Sequence, residues 1–259
     1  MVGAEFPALT TSMVKENIYF TLVHPKEPGN VGAAARALKN MGFRRLCIVN
    51  PCDYLSAEAN ALAHGAADVL ENATVYSSLS EAISDKTIVV GTTRHMGKTR
   101  GVIYPIKEAV DRIVNTAANN KVAILFGRED NGLYSSEINT CGYLMTIATS
   151  SAQPSLNLAQ AVLIVAYELS LRLPDNTIAA HTTPEQLMPQ ADLHNLYNRI
   201  TEALHYLGFS MRGSENLESD IERNVKHLVG RYGLTRWELD MLHGLCSAII
   251  SKSRNQDKK

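Results

Sequence analysis

Short apolar segments alternate with segments of helical periodicity from Ile18 to Leu173, and this alternation limits the fold more than any other feature of the chain. Strands that alternate with helices form βα units, which assemble a mostly parallel sheet with helices on both faces. The sequence therefore predicts an α/β fold. The predicted strands are Ile18–Val23, Leu46–Val49, Thr74–Tyr76, Ile88–Gly91, Val122–Phe126 and Leu144–Ala148. The predicted helices are Val31–Met41, Ala57–Ala63, Ser80–Ile83, Ile106–Ala117, Ser135–Asn139 and Leu156–Leu173.

The same pattern predicts four regions in the chain. Residues 1–16 lack periodicity and are expected to be a flexible leader, and residues 17–173 form the α/β domain. Residues 174–190 contain prolines among small polar residues, which is typical of a linker. Residues 191–259 regain helical spacing, so we expect a small C-terminal helical extension. Its helices are predicted at Ala191–Leu207, Leu217–Val229 and Arg236–Lys252.

The composition narrows the class of protein. The 259 residues are 45% hydrophobic and 20% charged, which is ordinary for a globular protein with a sizeable core. A formal net charge of −1 excludes a globally basic protein, but local basic clusters can still bind RNA phosphates. The four cysteines lack metal-binding spacing, so we expect reduced thiols, no metal site and a cytoplasmic protein. The chain shows no signal-peptide pattern, and polar residues within Leu156–Leu173 favour a buried helix over a membrane span.

The loops after the predicted strands are the first candidates for a site, because ligands of parallel α/β sheets bind beyond the carboxyl ends of the strands. Pro28–Gly32 leads into a helix that bears Arg36, and a helix N-terminus favours an anion. Gly127–Leu133 begins with a glycine, which leaves room for a ligand, and its Arg128–Glu129 pair can orient a polar substrate. Pro154–Asn157 precedes the most apolar helix. Taken singly, these loops are also compatible with an ordinary turn, a surface ion pair and a serine that caps a helix.

Two further features indicate partners. The segment from Arg94 to Arg100 carries three cations and a histidine, which suits an RNA backbone, although a solvated surface loop can have the same composition. The helix Leu156–Leu173 is apolar on nearly every face, and one sheet covers only one side of such a helix. We therefore expect a second subunit to cover its other side.

Three of these segments together resemble the motifs of the SpoU/TrmH branch of the trefoil-knotted (SPOUT) methyltransferases, and within it the TrmJ group. The motifs are PGNVGAAARALKNMG at 28–42, LFGREDNGL at 125–133 and PSLNLAQAVLIVAYEL at 154–169. Their order and spacing match the family over roughly residues 17 to 173. One such motif would be weak evidence, whereas three in register indicate membership.

The resemblance implies a trefoil knot in the C-terminal half of the sheet and a homodimer that uses the first and last helices of the domain. It also implies S-adenosylmethionine as the methyl donor, with S-adenosylhomocysteine as the product. The three knot loops would bind the cofactor largely through backbone groups, which would explain the glycine at 127. Matched by position, the cofactor-binding residues are Thr92, Thr93, Arg94, Gly127, Ile147, Pro154, Ser155 and Leu156. Some relatives carry a serine where this chain has Pro154, and the chain departs from them there.

The resemblance further implies methylation of a ribose 2′-hydroxyl in RNA. This hydroxyl is a poor nucleophile at neutral pH, so the enzyme must align it with the methyl group and help its proton leave. Arg36 matches the family's catalytic arginine, and an electrostatic role suits it better than that of a base because arginine stays charged. Arg36 would also contact the RNA, together with Arg94, Lys98 and Arg100. The residues that match those positioning Arg36 and the ribose are Asn30, Glu129, Ser155 and Asn157, and no metal is required.

Within this family, the resemblance indicates a pyrimidine in the tRNA anticodon loop as the target. One alternative is a ribosomal RNA 2′-O-methyltransferase. Another is a non-catalytic RNA-binding protein on the same scaffold, which the intact Asn30, Arg36, Glu129 and Ser155 disfavour. A nucleotide-binding dehydrogenase is disfavoured because the chain lacks the GxGxxG spacing. Binding of S-adenosylmethionine rather than NAD would separate these classes.

Overall fold

The computed structural model describes residues 10–94, 101–173, 186–209 and 217–256, and of residues 254–256 only the backbone. Its strands are β1 Ile18–Val23, β2 Leu46–Val49, β3 Thr74–Tyr76, β4 Ile88–Thr92, β5 Ile103–Pro105, β6 Val122–Phe126 and β7 Tyr143–Thr146. Among the described residues they form one seven-stranded sheet in the order β3-β2-β1-β6-β4-β7-β5. Each pair of neighbouring strands is parallel. The predicted α/β fold is confirmed.

The helices surround this sheet and continue beyond it. They are α1 Thr11–Glu16, α2 Pro28–Asn40, α3 Ala57–Leu62, α4 Ala67–Glu71, α5 Leu79–Ile83, α6 Ile106–Ala117, α7 Ser135–Ile138, α8 Leu158–Arg172, α9 Gln190–Tyr206, α10 Leu217–Tyr232 and α11 Arg236–Gln256. α2 begins earlier than predicted because Pro28, with its fixed φ and no N–H, suits the first turn of a helix. α8 begins at Leu158, two residues later than predicted, because Asn157 caps it.

The sheet separates two apolar cores, and the side chains of β4, β6 and β7 alternate between them. On one face, Phe20 of β1 lies against Phe43 and Phe126, with ring centroids 5.2 and 6.1 Å away, in the core that α2, α6 and α8 cover. Burial of such a side chain contributes roughly 1.5–3 kcal/mol. On the other face, Val89 of β4 clusters with residues of α5 and α7, among them Ile83. Helices therefore cover both faces, as predicted.

Three short elements and one strand boundary differ from the predictions. α1 occupies part of the predicted flexible leader, because the side chain of Thr10 caps it and Val14 is buried in the domain core. Residues 1–9 of that leader lie outside the described residues. α4 and the edge strand β5 were not predicted. β7 ends at Thr146 rather than Ala148, because its partner strand ends opposite Thr146 at Pro105, which has no N–H to donate.

The last strand of the sheet has an unusual connection. β7 follows β5 in the chain but lies between β4 and β5 in the sheet. α8 then packs against α2 and α6 on the face of the larger core. This order is consistent with the trefoil knot, which itself stays a prediction.

The bounds of α9, α10 and α11 agree closely with those of the three helices predicted for the extension. The three helices share a small apolar core. The start of α9 is bound to the α/β domain through the backbone. The N–H of Gln190 donates to the carbonyl of Lys86 at 3.0 Å, and the N–H of Ala191 donates to that of Ser84 at 2.9 Å. Most of the predicted linker lies outside the described residues, so the domain boundaries stay predictions. No helix in the described ranges is long and apolar enough to cross a membrane.

Candidate active site

A cleft at the carboxyl ends of β4, β6 and β7 encloses about 850 Å³, including the solvent at its open mouth. The loops after these strands form its wall, because the ends of parallel strands meet at one edge of the sheet. The buried side chains of Phe126, Leu133 and Met145 also contribute to the lining. All eight residues predicted to bind a cofactor line this cleft, namely Thr92, Thr93, Arg94, Gly127, Ile147, Pro154, Ser155 and Leu156. The structure brings these residues together, and their contacts with a cofactor stay a prediction.

Gly127, the first residue after β6, is required by the path of its own loop. That loop closes on itself through backbone hydrogen bonds of 3.1 and 2.9 Å between Arg128 and Gly132. A Cβ atom on Gly127 would lie 2.1 Å from the carbonyl carbon of Gly132, far inside van der Waals contact. The closed loop therefore requires glycine at this position by itself, and the room that Gly127 would leave for a ligand stays a prediction.

Arg128 pairs with Glu137 of α7 and not, as predicted, with the neighbouring Glu129. Its guanidinium donates hydrogen bonds of 3.0 and 2.9 Å to the two carboxylate oxygens of Glu137. Only 8% and 10% of these side chains are exposed, so the pair is a buried one rather than a surface ion pair. The guanidinium also lies 3.9 Å from the centroid of the Tyr134 ring. Arg128 and Glu129 therefore leave the loop in different directions.

A chain of hydrogen bonds joins the loop after β6 to the starts of α2 and α8. Glu129 accepts hydrogen bonds from the side-chain amide of Asn30, at 3.0 Å, and from the backbone N–H groups of Lys26 and Glu27. Asn30 in turn accepts a hydrogen bond from the amide of Asn157 at 2.8 Å. Burial by itself would raise the pKa of Glu129, but these hydrogen bonds outweigh burial and hold the pKa below its ordinary value. Glu129 is thus an ionised acceptor that fixes the first turn of α2.

The other two predicted catalytic residues lie apart from this chain of hydrogen bonds. Ser155 is exposed in the wall of the cleft and does not cap α8, a role that Asn157 fills. Arg36 is exposed on α2 and is absent from the lining of the cleft. Within the part of the chain that the structure describes, the side chain of Arg36 has no hydrogen bond or ion pair. The structure therefore unites Asn30, Glu129 and Asn157, but does not unite them with Arg36.

The predicted RNA-binding segment is described only at its start. Arg94 is exposed and lines the cleft, whereas Lys98 and Arg100 lie outside the described residues. The sequence analysis missed three polar residues of the lining, Asp130, Asn131 and Thr149. It also missed Glu137. A glutamate in the first turn of a helix often accepts a hydrogen bond from the backbone of the cap residue, and this is a signal that the sequence carries for it.

Fold and site together define a class of protein. A parallel sheet carries a cleft at the ends of its strands, and a chain of polar side chains holds the start of a helix in place beside the cleft. Metal-binding groups of three or more acidic, histidine or cysteine side chains do not occur in the described ranges. These features are typical of an α/β protein whose cleft, at the ends of the strands, is suited to a small molecule.

Comparison with known proteins identifies the family. A model of the SpoU rRNA Methylase family matches residues 17–167, more than half of the chain, and the chain belongs to this family. The membership predicted from three motifs is thereby confirmed, and the protein is a methyltransferase.

Relatives of the protein match nearly its whole length. It is 34% identical over 249 residues to the tRNA (cytidine/uridine-2′-O-)-methyltransferase TrmJ of Salmonella typhimurium, covering 93% of this chain and 99% of the relative. It is 33% identical over 237 residues to an uncharacterized tRNA/rRNA methyltransferase of Haemophilus influenzae, covering 90% and 95%. The crystal structure of TrmJ from Z. mobilis ZM4 superposes with a TM-score of 0.73 at 28% identity, covering 89% of this chain and 98% of that one. The similarity therefore extends beyond the α/β domain.

Proposed function

We propose that the protein transfers a methyl group from S-adenosylmethionine to the ribose 2′-hydroxyl of a pyrimidine in the tRNA anticodon loop, and that it acts in the cytoplasm. One observation carries the proposal: eight residues expected to bind a cofactor line one cleft, beside the hydrogen-bonded chain of Glu129, Asn30 and Asn157. Membership of the SpoU family supports methyl transfer. The identity of 34% to a tRNA (cytidine/uridine-2′-O-)-methyltransferase supports the pyrimidine and the tRNA.

The chemistry of the cleft lining suits S-adenosylmethionine. Ile147 and Leu156 offer apolar surface to the adenine, and the carboxylates of Glu129 and Asp130 favour a cationic sulfonium. Arg94 suits the cofactor's carboxylate. When bound, the cofactor supplies an activated methyl group.

Arg36 stabilises the reacting oxygen in this proposal. A guanidinium stays charged at neutral pH, so it favours the negative charge that develops on the hydroxyl oxygen and is poorly suited to accept the proton. Glu129, Asn30 and Asn157 hold the first turn of the helix that bears Arg36, and thereby its direction. Ser155, exposed in the cleft wall, contacts the ribose.

A homodimer completes the proposed site. Leu163, Tyr167 and Leu171 recur every four residues along α8, with 39%, 49% and 56% of each exposed. A continuous exposed apolar stripe of this kind is typical of a protein–protein interface. α2, which bears Arg36, packs beside α8. We propose that the second copy supplies its Arg36 to the cleft, whose lining lacks the Arg36 of its own subunit.

The RNA backbone is bound, in this proposal, by Arg94, which lines the cleft, together with Lys98 and Arg100. Each cation that contacts a phosphate releases a condensed counterion, so binding weakens as salt rises. A near-neutral protein needs such a local cluster to hold tRNA.

The test is transfer of labelled methyl groups from S-adenosylmethionine to unmodified total tRNA and, in parallel, to ribosomal RNA. We expect label in tRNA, lowered at least about 100-fold by Arg36→Ala. The matched control is Lys39→Ala on the same helix, whose side chain pairs with Asp68 of α4, and it should transfer normally. Cofactor binding without transfer to either RNA would contradict the proposal.

Ribosomal RNA is the second candidate substrate. The description of the family and that of the Haemophilus influenzae relative both name rRNA. Label confined to ribosomal RNA in the same assay would replace the tRNA proposal with this one.

A further inference from the structure

Glu137 lies beside the cleft without lining it, and it is held firmly in place. Its two carboxylate oxygens accept hydrogen bonds of 3.0 and 2.9 Å from Arg128, and one of them also accepts a bond of 2.7 Å from the backbone N–H of Tyr134. A buried charge is stable only when it is paired and hydrogen-bonded. The ion pair therefore fixes the guanidinium of Arg128 relative to α7.

Arg128 passes this constraint to the loop after β6. Its guanidinium lies on the ring of Tyr134, and its backbone N–H and carbonyl both bond to Gly132. Side chain and main chain thus hold the loop from two directions. Because Glu137 neutralises the guanidinium, the contribution of Arg128 at the cleft is one of geometry rather than of net charge.

Glu129 connects the same loop to the opposite side of the site. It accepts hydrogen bonds from the N–H groups of Lys26 and Glu27, at 3.0 and 3.2 Å, and from Asn30. The loop after β6 therefore joins α7 on one side to the start of α2 on the other. A shift of Arg128 would move Glu129 and, with it, the start of the helix that bears Arg36.

We propose that Glu137 is a positioning residue for methyl transfer. Through Arg128, it holds the loop after β6 in the arrangement that lines the cleft and keeps Glu129 on the first turn of α2. Glu137 itself touches neither cofactor nor ribose. The expected effect of Glu137 on kcat rests on the proposed function, whereas its expected effect on the order of the loop does not.

The structural consequence is tested by amide hydrogen exchange of the protein without ligand. We expect Glu137→Gln to speed exchange at Gly132 and, across the loop, at Lys26 and Glu27, each by about tenfold or more, with β1 and β6 unchanged. The control is Glu108→Gln, which removes a carboxylate paired with Arg112 on α6 and should leave these amides unchanged. Faster exchange confined to the residues of α7 and its cap would overturn the proposal.

The kinetic consequence is tested with three variants that separate position from stability. Glu137→Gln and Arg128→Lys each break the paired geometry, and the double variant Arg128→Met with Glu137→Gln removes both buried charges. We expect the double variant to regain most of the melting temperature lost by Glu137→Gln, because no unpaired charge remains. Its kcat should nevertheless stay about 10- to 100-fold below that of the wild type, with the KM for tRNA unchanged.

A merely structural role predicts a different result. Recovery of kcat together with the melting temperature in the double variant would overturn the positioning role. Absence of transfer by the wild type would overturn the proposed function instead, and the hydrogen-exchange result would then decide the role of Glu137 by itself.

Discussion

Asn30 is the residue at which the loop after β6 meets the starts of two helices. Its amide nitrogen donates to Glu129 and its amide oxygen accepts from Asn157, so both ends of the side chain are used. Each hydrogen bond of this kind contributes about 0.5–1.5 kcal/mol, which favours this one arrangement over others. The geometry around α2 is therefore set by three side chains from three separate segments of the chain.

The acid stability of the protein should depend on Glu129. Its pKa lies below the ordinary value of 4.5 in the folded state, so its ionised form stabilises the fold above that value. This stability is lost as the pH falls through the lower, folded-state pKa. We expect the melting temperature of Glu129→Gln to fall less steeply than that of the wild type as the pH drops below 4.5. Glu108→Gln, in an exposed pair on α6, should keep the wild-type slope, and equal slopes for Glu129→Gln and the wild type would refute the prediction.

The sequence predicts which loops carry the candidate residues, but not all the partners of those residues. Arg128 stands next to Glu129 in the chain, yet it pairs with Glu137, because pairing follows the direction in which a side chain leaves the backbone. The close approach of Gly127 to Gly132 likewise exists only once the loop has closed. The sequence carries a signal for Glu137 in the first turn of a helix, but none for its pairing with Arg128 or for the approach of Gly127 to Gly132.

At the scale of elements, α8 is unusual because it is apolar on nearly every side, yet only part of its surface is covered. The side that carries Val162, Val165 and Leu169 is buried against the sheet and neighbouring helices. The side that carries Leu163, Tyr167 and Leu171 is exposed. A helix with two apolar sides is typically covered on both, which is the basis for the proposed dimer.

The substitution Tyr167→Glu should therefore disrupt the dimer. It places a carboxylate in the middle of the apolar stripe, where a second copy would bury it without a partner. We expect the wild type to have a dimeric mass in light scattering after size exclusion, and Tyr167→Glu to have a monomeric one. Val75→Glu, an equal change at an exposed apolar residue of β3, should remain dimeric. A monomeric wild type would contradict the proposal outright.

The long elements were predicted, whereas three of the short ones were missed, although the short elements β3, α5 and α7 were found. The buried strands β1 and β6 read as apolar runs with clear boundaries, and the structure has them at the predicted positions. β5 has three residues, α4 has five and α1 has six, and in segments this short the periodicity is a weak signal. Their positions depend on contacts with the rest of the domain.

At the scale of the whole molecule, two glycines bring the C-terminal helices against the sheet. A Cβ atom on Gly230 of α10 would lie 2.4 Å from the Cα of Gly142, which immediately precedes β7. The two backbones thus approach as closely as glycine allows. The sequence offers no hint of this contact, because the two residues are distant in the chain and neither belongs to a motif.

The substitution Gly230→Ala should destabilise the protein, although a helix intrinsically favours alanine over glycine. Alanine is favoured over glycine within a helix by about 1 kcal/mol, but here its methyl group would push α10 away from β7. We expect a lower melting temperature for Gly230→Ala. Gly244→Ala in α11, where nothing lies within 4 Å, should raise it. A rise in both variants would show that α10 does not pack on the sheet in solution.

Mixing of subunits tests whether Arg36 of the partner subunit completes the cleft. Ser155→Trp should block one cleft and Arg36→Ala should remove one arginine, so each homodimer is inactive. After exchange of subunits in an equal mixture, about half of the dimers contain one subunit of each variant. Each of these mixed dimers has one intact cleft that faces one intact arginine, so activity should return to about a quarter of the wild-type level. No recovery despite proven exchange would place Arg36 in the cleft of its own subunit.

The central claim, methylation of a ribose 2′-hydroxyl in tRNA, is tested most directly by the position of the transferred methyl group. A 2′-O-methyl group removes the nucleophile that alkali needs to cleave the next phosphodiester bond. After alkaline hydrolysis of tRNA labelled by the wild-type protein, we predict label in a resistant dinucleotide whose first nucleoside is a pyrimidine. Label released in mononucleotides would mean a methylated base, and would contradict the account.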